Sequence, residues 1–160
     1  MSKQAFVEKI NQSYTLKGAS IHLGSGVFQG EIMADAKVHL PLKMMNRHGL
    51  VTGATGSGKT RTLQVLAEQL SNAGVPVFIP DMKGDLSGMA KEGESNQKIN
   101  ERVNALGVSF QPTAFPIEFY SLSGKNGAKM RATITEFGPV LRGKILELND
   151  TQSGVLNILF

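Results

Sequence analysis

Gly53-Ala54-Thr55-Gly56-Ser57-Gly58-Lys59-Thr60 decides how this 160-residue chain is read. The stretch matches G-x-x-x-x-G-K-[ST], the Walker A pattern of a phosphate-binding loop. In such a loop, glycines let successive backbone N–H groups converge on one concavity at the start of a helix, where phosphate oxygens bind. Lys59 would reach the β- and γ-phosphates of a nucleotide, and Thr60 would offer its hydroxyl to the Mg²⁺ that bridges them. The candidate nucleotide-contacting set is Gly53, Ala54, Thr55, Gly56, Ser57, Gly58, Lys59, Thr60 and Arg61. At average residue usage, the four fixed positions coincide by chance in fewer than about one in a hundred chains of this length.

The flanks have the pattern such a loop requires. Gly49-Leu50-Val51-Thr52 reads as a short apolar strand before it, and Thr60 to Ser71 places Leu63, Leu66, Ala67 and Leu70 at helical spacing after it. Gly74 follows as a left-handed stop. Val75-Pro76-Val77-Phe78-Ile79 reads as a second strand, Ser95 to Leu106 as a helix closed by Gly107, and Phe115 to Leu122 as a further extended run. Ile134 to Leu148 reads as a helix interrupted at Gly138-Pro139, and Thr151 to Phe160 as a helix after the Asn149-Asp150 cap. Strands alternating with helices predict an α/β domain, a parallel sheet flanked by helices. Residues 1–47, broken by Gly18, Gly24, Gly26 and Gly30, read as a small extended lead-in, and residues 48–160 as the loop-bearing domain. The apolar run Val155–Phe160 ends without glycine, proline or basic residue, and is expected to mark a core cut before its next strands.

Composition narrows the chemistry. The length fits one domain, and 41% hydrophobic residues supply a core. With no cysteine, disulfides, thiolate nucleophiles and Cys-based metal or iron–sulfur sites are excluded. A net charge of +4 favours polyanionic partners without forming a basic tail. The N-terminus, with Lys3, Glu8 and Lys9, lacks the apolar core of a signal peptide, and no run approaches the roughly 18 apolar residues of a membrane span. The expectation is a soluble cytoplasmic protein with no membrane partner.

Hydrolysis of a nucleotide needs more than the loop: an acid on the magnesium side and a group that positions water. Asp81, after Val77-Phe78-Ile79-Pro80, is the first candidate for both the metal and a catalytic role. Asp81-Met82-Lys83-Gly84 also fits the D-x-x-G switch pattern of GTPases, but no N/T-K-x-D guanine-reading sequence occurs in the chain. A solvated polar turn formed by Asp81, Lys83 and Asp85 is the competing reading, set against its place at a strand end where open α/β sheets hold ligands. His22, His39 and His48 have no metal-ligand spacing, so magnesium is the only metal implied. Arg131 and Arg142 are candidates for phosphate-sensing arginines acting on a neighbouring subunit, with ordinary solvated arginines as the alternative. Basic residues are scattered without interleaved aromatics, so no nucleic-acid patch is visible in the sequence.

Asn46-Arg47-His48-Gly49-Leu50-Val51 together with the loop through Thr60 resembles the HerA-like ATPases, a clan that includes the FtsK-type DNA pumps. Within it, residues 75–88, Arg131-Ala132-Thr133, Glu136-Phe137-Gly138-Pro139 and Leu148-Asn149-Asp150-Thr151-Gln152-Ser153-Gly154 resemble a bacterial subfamily of YjgR type, of which this chain would be the N-terminal portion. The resemblance spans most of residues 20–160. It implies a RecA-like P-loop core, assembly into a homo-oligomeric ring, and ATP-driven movement on DNA. It also places Asp81 in a D-x-K-G-[DE] segment near the nucleotide, with the Walker B acids, the catalytic glutamate and the sensors of longer relatives falling beyond residue 160. Binding of ATP with little turnover is the resulting expectation for these residues. Two other classes stay open: a self-contained small GTPase or nucleotide kinase, and a non-catalytic nucleotide-binding module.

Overall fold

A computed structural model describes residues 1–160. The chain divides into two units, Met1–Pro116 and Ile117–Phe160.

The first unit is organised by an antiparallel hairpin. Strands β1 (Ser20–Phe28) and β2 (Glu31–Pro41) pair from Ser20↔Pro41 to Phe28↔Glu31. The two-residue turn Gln29-Gly30 has φ of 51° and 84°, positive at both positions, which matches the right-handed twist of the strands. Two irregularities, between His22 and Gly24 and between Ser25 and Gly26, bend the ladder. Helix α1 (Lys3–Ser13), capped by the Ser2 hydroxyl, packs on the hairpin. A Cβ on Gly26 would stand 2.9 Å from the Phe6 ring and 3.2 Å from Ala36, so the glycine is what lets α1 approach this closely. Phe6 and Phe28 then meet with ring centroids 5.2 Å apart, and a Lys3–Glu31 ion pair ties α1 to the hairpin turn. The lead-in read as mostly extended is therefore a helix followed by a hairpin.

Helix α2 (Lys59–Asn72) packs against β1 and helix α3 (Gln97–Leu106) against β2. The buried hydrophobic residues are Ile21 and Ala36 on the strands and Ala67 and Leu70 on α2, so the core lies where α2 crosses the hairpin. Gln69 fastens that crossing: its Oε1 accepts the His22 N–H at 2.7 Å, and its amide donates to the His22 carbonyl. Gly74 and Gly107 follow α2 and α3 in the left-handed region, and Val75 N–H closes back on the Leu70 carbonyl at 2.9 Å.

The parallel sheet expected around the loop is not formed. Residues 49–52 and 75–79 have no strand pairing, and Leu50 and Phe78 are 87% and 74% exposed. Both runs are poor at pairing for themselves. The first has three residues between glycines, and the second carries Pro76, which removes a ladder donor, and is followed at once by Pro80. A parallel strand also needs a neighbour from beyond a crossover, and no such neighbour lies beside either run. The observed class is mixed α/β with two small sheets.

In the second unit, β3 (Tyr120–Ser121) and β4 (Ala128–Lys129) form a short parallel bridge, all that forms of the extended run expected over 115–122. Helix α4 (Ile134–Ile145) is capped by a Thr133–Glu136 capping box and broken at Gly138, φ 62° and ψ 172°, just before Pro139. Helix α5 (Asp150–Leu159) starts from a second box, Asn149 with Gln152, and packs on α4. No helix is long and apolar enough to cross a membrane.

Candidate functional site

The loop 53–58 enters α2 through Gly58, which caps the helix at φ 93°, ψ 14°. An L side chain is disfavoured there by about 1–2 kcal/mol, although no atom lies within 4 Å of where its Cβ would stand. The requirement is therefore one of backbone conformation, not of space. The Ser57 N–H turns back to the Ala54 carbonyl at 3.2 Å, closing the loop, and Lys59 lies across it with Nζ 2.7 Å from the same carbonyl. The ammonium is thus held over the loop by a single neutral acceptor, a weak tether that a charged phosphate oxygen would outcompete.

Thr60 and Gln64 stand one helical turn apart on the same face of α2. Both reach Asp85. The Thr60 hydroxyl donates to Asp85 Oδ2 at 3.4 Å, and Gln64 Nε2 donates to the Asp85 carbonyl at 3.5 Å. Gln64, the buried polar residue of this unit, also accepts from Arg61 Nη1 at 2.8 Å, which turns the Arg61 guanidinium along the helix.

Asp81 is placed differently. Its Oδ1 accepts the N–H groups of Lys83 and Gly84 at 3.2 and 2.8 Å, and its Oδ2 accepts that of Leu86 at 3.0 Å. These bonds, Leu86 foremost, hold its carboxyl below the usual carboxylate range. Asp81 therefore folds the turn 81–86, and the acid that this turn carries to Thr60 is Asp85. Sequence reading had Asp85 within the polar turn but singled out Asp81; the D-x-x-x-D spacing, with a glycine between, was the available signal.

The donor set fits a magnesium–nucleotide: a hydroxyl and a carboxylate for a hard cation, an ammonium and curled backbone for phosphates. No three His, Asp or Glu side chains gather to hold a metal by themselves, which is the usual situation for a cation that binds chiefly through substrate phosphates.

The other sequence candidates lie elsewhere. His22 and His39 face each other across β1 and β2 with ring centroids 5.2 Å apart, a pairing that spacing along the chain did not show. In the second unit, the Arg142 guanidinium donates to the Ile134 carbonyl at 2.7 Å across the α4 break and lies 4.8 Å over the Phe160 ring, so it is engaged within that unit. Arg131, in the same unit, is exposed.

Comparison with known proteins matches residues 28–160 to the family described as helicase HerA-like C-terminal, which is ATPase-associated. No curated protein and no solved structure matches the chain. The match takes in β2, the loop, α2 and the Asp81–Asp85 turn together, and covers well over half of the sequence. The chain belongs to the helicase HerA-like C-terminal family.

Proposed function

We infer that the chain binds ATP with Mg²⁺ at Gly53–Arg61 as part of an ATPase that assembles into rings and moves nucleic acid. The observation that carries the nucleotide reading is the loop itself: a G-x-x-x-x-G-K-T sequence closed on its own backbone, opening into α2 through a left-handed Gly58, with the Lys59 ammonium lying across it. Lys59 binds the β- and γ-phosphates, Thr60 gives its hydroxyl oxygen to the cation, and the backbone of residues 54–60 surrounds the phosphate oxygens. Bound Mg²⁺ supplies charge neutralisation of the phosphates. Ring assembly and a DNA track rest on the family relation alone.

Turnover within these 160 residues is slow on this reading. Asp81 is committed to three backbone amides and Asp85 faces Thr60 on the cation side of the loop, so on this reading neither is the group that orients an attacking water. Calorimetry with Mg·ATP and with Mg·GTP, with phosphate release followed in the same samples, tests this. Saturable ATP binding with little phosphate release is expected. Absence of binding overturns the nucleotide reading, and a clear preference for GTP with brisk hydrolysis replaces it with a self-contained GTPase.

A further inference from the structure

We propose that Asp85 is the carboxylate serving the magnesium side of the phosphate loop, and that Asp81 is the positioning residue that folds the turn holding it there. The proposal rests on the ATP-binding reading above and deepens it.

Two observations converge on Asp85. Its side chain takes the Thr60 hydroxyl hydrogen, which turns the oxygen lone pairs of Thr60 away from Asp85 and leaves them for a cation. Carboxylates that orient a metal's ligand in this way tune metal affinity without ligating directly. Its backbone is held independently, through Gln64, from the same face of the helix that presents Thr60. The backbone of Asp85 therefore cannot leave the loop without also breaking a bond to a buried side chain.

The neighbouring acid is spent on other bonds. A carboxylate offers about four lone-pair directions, and Asp81 fills three with the N–H groups of Lys83, Gly84 and Leu86. Those residues bracket Asp85, so the Asp81 clasp fixes the path of the backbone on both sides of it. The two acids thus divide the work: Asp81 acts on the turn, and Asp85 acts on Thr60 and, through it, on the cation.

The test separates cation binding from nucleotide binding. ATP affinity of the full chain is measured by calorimetry without divalent ion and over a Mg²⁺ titration, and repeated with Mn²⁺ followed by its electron paramagnetic resonance. For Asp85→Asn, Mg²⁺-free ATP affinity should stay within about threefold of wild type, whereas the Mg²⁺ and Mn²⁺ affinity of the ATP complex should fall about 10–100-fold, the range for loss of a carboxylate behind a metal ligand. Asp85→Glu should recover part of that loss. Asp81→Asn keeps an oxygen for Lys83 and Gly84 but loses the acceptor for Leu86, so its cation defect should be smaller than that of Asp85→Asn. Unchanged circular dichroism accompanies the expected result.

An Asp85→Asn protein with wild-type cation affinity would overturn the proposal, as would a cation defect seen in Asp81→Asn and absent from Asp85→Asn. If wild-type protein binds no ATP under either condition, the phosphate-loop reading itself fails and this proposal falls with it. A wild-type protein that binds Mg·ATP while Asp85→Asn binds it equally well separates the two failures.

Discussion

Replacing Lys59 by alanine should remove nucleotide affinity while leaving the fold nearly intact, and the structure sets both magnitudes. In the absence of nucleotide the lysine makes one bond, from Nζ to the Ala54 carbonyl at 2.7 Å, and it lies outside the core formed by Ile21, Ala36, Ala67 and Leu70. A bond of that kind contributes about 1 kcal/mol or less, which for a chain of this size lowers the melting temperature by about 2–4 °C. Against phosphate the same ammonium makes charge-assisted bonds of about 1.5–3 kcal/mol each. Losing one to the β- and one to the γ-phosphate weakens ATP binding by about 3–6 kcal/mol, or about two to four orders of magnitude in Kd. Equilibrium dialysis with labelled ATP, alongside thermal melts by circular dichroism, reads both quantities. A Kd within about threefold of wild type would refute the assignment of Lys59. A melting temperature lowered by more than about 10 °C would show that the lysine holds the fold, which the geometry denies.

Two further outcomes follow from the hairpin. Gln69→Leu keeps the bulk of the side chain but leaves both the His22 N–H and carbonyl unpartnered; it should cost about 2 kcal/mol and speed exchange of the His22 amide, and a loss under about 0.5 kcal/mol would show that the clasp carries no weight. His22 is held below its ordinary imidazole range, by burial first and then by the charges of His39 and Lys37 against an opposing bond at Gly24. Because its folded-state pKa is depressed, its contribution to stability is present above about pH 6.5 and is lost as pH falls below that value. Melts of the wild type should therefore drop between pH 7.5 and 5.5, and His22→Leu should flatten that slope.

Features encoded within one turn of chain were legible in the sequence. The Thr60–Ser71 periodicity, the Gly74 and Gly107 stops, the break at Gly138-Pro139 and the Asn149 cap all appear in the structure within a residue or two of where the pattern places them. Each depends on a local rule of helix termini or of a single residue's backbone preference. The runs 49–52 and 75–79 were misread because β-branched and aromatic residues report a tendency to be covered, whereas a strand requires a partner whose identity lies far along the chain. Helix α1 was missed because its apolar residues are few and its Ser2 cap lies at the very start of the sequence, leaving little periodicity to read. The hairpin turn was hidden by Gln29, an unusual occupant of a positive-φ position. At the site, the loop could be read residue by residue, but that Asp85 and not Asp81 meets the Thr60 hydroxyl could not. It depends on which backbone amides the first acid captures, and only coordinates display that.

Helix α2 has its first turn at the loop and its Gln69 at strand β1, about 15 Å further along at 1.5 Å per residue. An α-helix is stiff along its axis, so these two ends behave as the ends of a lever. A tilt of about 5° pivoting at Lys59 swings Gln69 by about 1.3 Å over that arm, enough to pull a 2.7 Å hydrogen bond beyond its working length. The Gln69–His22 bonds thus sit at the far end of the same rigid element that carries Lys59 and Thr60, so a tilt of α2 set by the loop would be read there as faster exchange of the His22 amide.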